Sequence, residues 1–299
     1  MSLINTNYDY LDTMDISGDS PLVGVIVAVY YLGCTFGAIL ASYFSDIRGR
    51  KPAILTCLLT ASAGNLLMFI AGLNGLPNAR IVMLIGRIVM GLGVGGIDAV
   101  VPVYSSELSQ DDARGTALAQ EFQANILGLN MAFIINVLLT RSLGKTSQWA
   151  WRSPIIIMQL FPAIMVLTTN LLPETPRWLV MHSKDDKAKR AIASVWGHDA
   201  VDDQISQLHE AHEKEQSDGT VSYTDMLLPN GSQFHPTVLT VMGQVNQALT
   251  GYGAVSVYGP QIFGLLGFSV SDSEWLTMGN CKPARPLPNP ASPLPSSLS

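Results

Sequence analysis

Residues 80–107, RIVMLIGRIVMGLGVGGIDAVVPVYSSE, constrain this chain more than any other stretch. The run is mostly apolar and long enough to cross a bilayer, which takes about 20 residues of helix. Yet it carries Arg87 and Asp98 inside it. A charge in the membrane interior is costly, so it marks a functional position that faces other helices rather than lipid. Gly91 and Gly95 have the small-xxx-small spacing that lets a neighbouring helix come close. At about 100° per residue, Arg87, Gly91, Gly95 and Asp98 fall on one face. The two charges lie roughly 16 Å apart along the axis and cannot pair with each other, so each is expected to need a partner on another helix. Gly91, Gly93 and Gly96 also satisfy GxGxxG. That fingerprint requires a preceding strand, a helix that opens at the glycines and an acidic residue about 20 positions on. Here the glycines sit midway along an apolar run flanked by other apolar runs, and the dinucleotide reading is set aside.

The rest of the chain is built in the same way. Only 13 % of its 299 residues are charged, against about 25 % in an average soluble domain. Uncharged runs at 21–45, 52–79, 122–140, 153–173 and 226–271, together with 80–107, predict six spans in an all-α, multi-pass membrane bundle. Positive charges orient it. With the N-terminus outside, the inner loops hold ten Lys and Arg and the outer loops four. The acidic head, with Asp9, Asp12, Asp15 and Asp19 and no cation, suits the outside and is unlike a cleavable signal peptide. The sequon Asn230-Gly231-Ser232 then lies inside and is expected to stay unmodified. Cys34, Cys57 and Cys281 are odd in number and lack metal-ligand spacing. His209 and His212 lie three apart with no further ligand nearby, so no metal is expected. No nucleophile–base pair or phosphate loop stands out, and neither enzyme activity, a cofactor nor a nucleic-acid partner is expected.

Several stretches carry chemistry. The turn SDIRGRK, 45–51, combines Asp46, Gly49 and the cations Arg48, Arg50 and Lys51. It reads either as a positive-inside retention signal or as a gate whose cations reach carboxylates of other helices. Span five in family order, from about Glu121, includes Gln120, Gln123, Asn125, Asn130 and Asn136; these amides either bridge helices or line a polar path. Trp151 and Arg152 read as an interface aromatic and a snorkelling cation at the outer boundary of the next span. Ser183 with Asp186 reads as a capping box that opens an amphipathic helix to about Trp196, and a charged helix follows at about 200–216. The last span, about 236–266, is broken by Gly251, Gly253, Gly259 and Pro260 and carries Gln244, Asn246 and Gln247, the pattern transporters use at sites.

These residues resemble the sugar porter family of the major facilitator superfamily, fungal type. Asp46, Gly49, Arg50 and Lys51 resemble its DRxGRR loop, and Gly86-Arg87 with Gly91, Gly93 and Gly95 its GRxxxGxGxG helix. Pro102, Tyr104 and Glu107, then Arg114-Gly115, resemble PxYxxE and RG; PETPRWL, with Glu174 and Arg177, resembles PESPRWL. QALTGYGAVSVYGPQIF resembles QQLSGINAxxYYxPxIF. The resemblance covers about residues 1–280. It implies a major facilitator fold of twelve spans in two halves, of which this chain matches spans two to seven, about six helices plus a cytoplasmic helical loop. The expected organisation is an extracellular segment 1–20, a first-half bundle 21–173, a cytoplasmic loop 174–235, the first span of the second half at 236–268, and a disordered Pro/Ser-rich tail 281–299.

The resemblance also implies roles. Arg87 would pair with a GYD-type carboxylate at the end of the family's first span, which takes part in coupling in proton-driven members. Asp46, Gly49, Arg50, Lys51, Glu107, Arg114, Glu174 and Arg177 would form the cytoplasmic gate. In the pocket the chain departs from the pattern. Phe122 stands at the sugar-binding glutamine position with Gln123 beside it; Gln247 keeps the first glutamine of QQ, Ala248 replaces the second, and Gly253 replaces the asparagine. Lost amides weaken a hexose assignment at about 1 kcal/mol per hydrogen bond, so the expected solute is a sugar, a polyol or a quinate-like acid, with protons as the coupling ion. The plasma membrane is the family expectation, and the oligomeric state stays open. An incomplete gene model or truncated product is also expected, begun at an internal methionine and altered after Asn280. A nutrient sensor of the same fold and a non-functional fragment are the alternatives.

Overall fold

The computed structural model describes residues 7–16, 21–73, 78–109, 113–144, 146–217 and 233–251, with short pieces at 226, 231, 259 and 262–267. The described residues form helices and turns, with no strand among them. A short outer helix, α1 (Tyr8–Thr13), precedes α2 (Pro21–Arg48), α3 (Arg50–Ile70), α4 (Ala79–Leu108) and α5 (Arg114–Leu143). Then come α6 (Gln148–Met158) and α7 (Leu160–Thr169), the short α8 (Pro176–Met181), α9 (Asp185–Trp196), α10 (Val201–Ser217) and α11 (Phe234–Leu249). Five stretches are long and apolar enough to cross a membrane: Gly24–Arg48, Arg50–Ile70, Ala79–Leu108, Arg114–Leu143 and Gln148–Thr169. Of the expected sixth span the structure describes α11, whose 16 residues are all unburied, and the pieces at 250–251, 259 and 262–267. Gly253, Asn230, Ser232, Cys281 and the tail 281–299 lie outside the described residues.

The glycine-rich helix α4 is the centre of the bundle, packed between α2 and α3. Its glycines serve two interfaces at once. A Cβ at Gly91 would meet the Tyr30 carbonyl oxygen of α2 at 2.4 Å, and one at Gly95 the Cys34 carbonyl oxygen at 2.1 Å. One at Gly93 would meet the Ala61 nitrogen of α3 at 2.3 Å. Without side chains the backbones come into contact, and in lipid such packing stands in for the hydrophobic drive that lipid cannot supply. Large apolar residues such as Phe36, Ile39 and Leu40 of α2 face outward, as they do where lipid rather than water is the solvent.

The structure corrects several boundaries. α5 begins at Arg114, seven residues before the expected Glu121, because the polar first turns continue the helix below the apolar run. The span after it is two helices rather than one, broken at Gln159. Pro162 lacks the N–H that would bond the Met158 carbonyl. Gln159 also turns its side chain to α3, where Asn65 Nδ2 donates to its Oε1 and to the Ile155 carbonyl, both at 2.9 Å, and its Nε2 donates to Ser62 Oγ. The capping box does not form. Ser183 adopts φ 55° and closes α8 instead, its N–H donating to Val180 O (2.9 Å) while Lys184 N–H donates to Leu179 O (2.8 Å). That pair of bonds is a Schellman termination, which leaves Lys184 as the uncapped start of α9.

Trp151 and Arg152 are not interface residues but among the most buried side chains, 0 % and 1 % exposed. Arg152 donates through Nη2 to Ala71 O (2.8 Å) and through Nη1 to Phe69 O. A guanidinium on the last carbonyls of α3 is a C-terminal cap, favoured by the helix dipole. Its charge also lies 4.1 Å from the centre of the Trp151 ring. Below the opposite end, Trp178, Leu179 and Val180 of α8 pack on Ala188 and Ala191 of α9, with Ile205 and Leu208 of α10 against them, which gives the helical loop a small core of its own.

Candidate functional site

At the end bearing the SDIRGRK turn, called the inner end below, the ionic residues of four distant segments meet around Arg50. Its Nε and Nη2 donate to Glu107 Oε2 (3.1 Å) and Oε1 (2.9 Å), a forked pair across 57 residues. Its Nη1 donates to Asp46 Oδ1 (2.9 Å) and to the Ser45 carbonyl (3.1 Å). The Arg50 and Glu107 side chains are 10 % and 8 % exposed, whereas that of Asp46 is 74 % exposed. Desolvation and the forked geometry make the Arg50–Glu107 pair the dominant contact; the solvated Asp46 adds little.

Glu174 works on backbone. Its carboxylate accepts from Arg50 N–H (3.0 Å), from Lys51 N–H (3.2 Å) and from Thr175 N–H (3.1 Å). It thus caps α3 from 124 residues away and places negative charge at the helix's positive end. Gly49 makes room for it: at φ 104° a side chain would be strained, and its Cβ would sit 2.4 Å from Glu174 Oε2. Lys51 Nζ donates to Asn170 O and Leu172 O, both 2.8 Å, and ties the end of α7 to the start of α3. Tyr104 donates to Pro173 O (2.8 Å) and Trp178 Nε1 to Asp46 O (2.9 Å). Six of the eight expected gate residues, Asp46, Gly49, Arg50, Lys51, Glu107 and Glu174, are therefore one cluster. Arg114 and Arg177 stand to one side with Glu107, where they line a cleft of about 650 Å³ with Trp196, Gln204 and His212. The Trp178 and Lys51 bonds were not foreseen, since a side chain that bonds to a remote carbonyl leaves no spacing in the sequence.

Arg87 lies in the interior of α4, 3 % exposed. Among the described residues its Nε and Nη2 have no hydrogen-bond partner. Around it are the rings of Tyr10, Tyr30 and Tyr31. Asp98 is exposed but lies within electrostatic reach of the same Tyr30, and of Cys34 and Glu121. On α5, Phe122 is 54 % exposed, Gln123 half-buried, and Gln120 and Asn125 exposed. Asn130 donates to Ile126 O of its own helix at 2.9 Å. Farther along the same helix Asn136 is buried, 8 % exposed. Gln247 is exposed on α11. His209 is held by Asp185 at 3.4 Å, an interhelical contact in the loop.

Apolar spans packed on a glycine helix, a buried arginine among them and an ionic cluster that ties their ends define a multi-pass membrane helix bundle. The chain belongs to the Sugar (and other) transporter family, whose profile matches residues 3–279. A putative metabolite transport protein of Bacillus subtilis is 29 % identical over 86 % of this chain and 53 % of its own length. A low-affinity glucose transporter of Saccharomyces cerevisiae is 26 % identical over 86 % of this chain and 44 % of its own. The solved proton:xylose symporter XylE, bound to 6-bromo-6-deoxy-D-glucose, matches with a TM-score of 0.80 at 20 % identity, over 94 % of this chain and 61 % of that one. At that identity the likeness shows the fold, which is that of the major facilitator superfamily. The chain spans about half the length of the curated relatives it matches.

Proposed function

We propose that this chain is the substrate-facing first part of a carrier that moves a sugar or sugar-like solute, a polyol or quinate-like acid included, together with protons across the plasma membrane. The observation that carries the reading is the family match across residues 3–279, whose charged motif residues assemble around Arg50. In this reading the inner cluster of Asp46, Gly49, Arg50, Lys51, Glu107 and Glu174 is the cytoplasmic gate, with Arg114 and Arg177 at its rim. Arg87 is the coupling charge, a buried cation placed to engage a carboxylate that gains and loses a proton. Phe122, Gln123, Gln247 and Gly253 are the residues assigned to solute binding, a set with few amides to bind hydroxyls. The segments 1–20, 21–173, 174–235 and 236–268 serve as outer strap, bundle, cytoplasmic bracket and first span of a second half. A second reading, a chain with no transport of its own, is favoured by the buried guanidinium, two of whose nitrogens have no partner among the described residues.

The test is uptake in transporter-null yeast. Radiolabelled hexoses, pentoses, disaccharides and quinate are offered at two external pH values to cells that make the 299-residue chain or the longest protein its transcript encodes. The expected result is uptake of one solute class by the longer protein, faster at the lower pH. Uptake by neither form rejects the carrier reading. Uptake by the 299-residue chain alone replaces the two-half mechanism with an assembly of identical units.

A further inference from the structure

At the end opposite the gate, residues 7–16 form a strap locked to three spans. Asn7 Oδ1 caps α1 by accepting from Tyr10 N–H at 3.1 Å. Trp151 Nε1 of α6 donates to Asp9 Oδ2 at 2.8 Å, and the Tyr10 ring meets Trp151 edge-on, 5.4 Å between centroids. Arg80 of α4 donates through Nε to Met14 O (2.9 Å) and through Nη2 to Asp15 Oδ2 (3.0 Å). The strap buries Tyr10 and Met14 to 1 % exposure within the outer core cluster that includes Met68, Met83 and Trp151.

Tyr10 packs in the same cluster as Met83, which lies one helical turn before Arg87 on α4. The Tyr10 hydroxyl is sealed from solvent and has no formed hydrogen bond among the described residues, and the same is true of Arg87 Nε and Nη2. Tyr10, Tyr30 and Tyr31 all lie within electrostatic reach of that guanidinium. Two sealed polar groups, each short of a partner and close enough to feel each other's field, offset part of each other's burial cost. Burial pushes the Tyr10 hydroxyl above its ordinary range, so it stays protonated and offers a neutral oxygen. A neutral acceptor steadies the cation without cancelling its charge, and so leaves it able to attract a carboxylate.

We propose that Tyr10 is a positioning residue for Arg87: the outer strap holds the guanidinium in the spans while no carboxylate engages it. The proposal rests on the reading of Arg87 as the coupling charge. Tyr10→Phe keeps the ring on Trp151 and removes only the acceptor. The purified 299-residue chain is melted in detergent as wild type, Tyr10→Phe, Arg87→Gln and the double variant. Tyr10→Phe is expected to lower Tm by roughly 2–4 °C in the wild-type background and by under about 1 °C beside Arg87→Gln. Equal shifts in both backgrounds overturn the contact; should Arg87→Gln fail to fold, Arg87→Lys takes its place in the cycle. In the transporting protein, Tyr10→Phe is expected to cut accumulation about tenfold relative to exchange, a ratio that the amount of folded protein does not move. An unchanged ratio overturns the positioning role. If Arg87→Gln itself accumulates solute normally, the coupling reading fails first, and the role of Tyr10 falls with it even where melting shows the contact.

Discussion

A leucine at Gly95 is expected to leave no folded bundle. The first carbon of the new side chain would stand 2.1 Å from the Cys34 carbonyl oxygen, with the Cys34 Cα and carbonyl carbon at 2.5 and 2.6 Å. These are backbone atoms, so no rotamer change relieves the clash; α2 and α4 must separate. Overpacking a tight core costs about 1–3 kcal/mol where side chains can yield, and more where they cannot. Separation also strips the contacts at Gly91, because both glycines touch the same helix. The measurement is the yield of monodisperse protein on size exclusion after detergent extraction, with Gly128→Leu as control, since nothing lies within 4 Å of a Cβ at Gly128. The control is expected to match wild type while Gly95→Leu gives only aggregate. A monodisperse Gly95→Leu protein with wild-type melting would mean that α2 and α4 do not meet at this face.

Arg50→Met is expected to be the most damaging change at the inner end. It leaves the Glu107 carboxylate, 8 % exposed, without its forked partner. Removing one member of a buried ion pair costs about 3–5 kcal/mol, mostly the penalty of the stranded charge. The same logic predicts rescue. Arg50→Met with Glu107→Leu removes both charges and is expected to recover most of the stability. Asp46→Asn is expected to cost under about 1 kcal/mol, because that carboxylate is solvated. Chemical denaturation of the four proteins in detergent checks the order. A double variant no more stable than Arg50→Met would show that the guanidinium's other bond, to the Ser45 carbonyl, carries the cluster.

The span pattern and the motif residues were readable because burial in lipid leaves a long, uncharged signature and because Arg50, Glu107 and Glu174 are charged residues at element ends. The Gly91–Gly95 face was readable from spacing alone. What pattern could not supply was where side chains reach across the chain. Arg152 looks like a snorkelling cation in sequence and is a buried cap on α3, because Phe69 and Ala71 lie more than 80 residues away. Ser183 has the composition of a capping box but is spent in the αL turn that ends α8. Tyr10 sits in an acidic, apparently solvated head. Only the Asn7 cap, three residues upstream, hinted at the helix that carries it inward. On α5 the charge pattern misplaced the start of the helix, since polar first turns that project past the apolar run read as loop.

The inner cluster gives the bundle a mechanical meaning. Arg50, Glu174 and Lys51 bind the starts and ends of α3, α4, α7 and α8 together. The proposed work of coupling then falls on Arg87, a buried cation with no such network among the described residues. Accumulation of labelled solute against its gradient, measured beside solute exchange at equal concentrations in vesicles containing the transporting protein and its Arg87→Ala variant, tests this directly. The account predicts that the variant loses at least about tenfold in accumulation while exchange persists, because the solute path survives and only the proton-linked step is lost. Uphill accumulation by Arg87→Ala equal to that of wild type would contradict it.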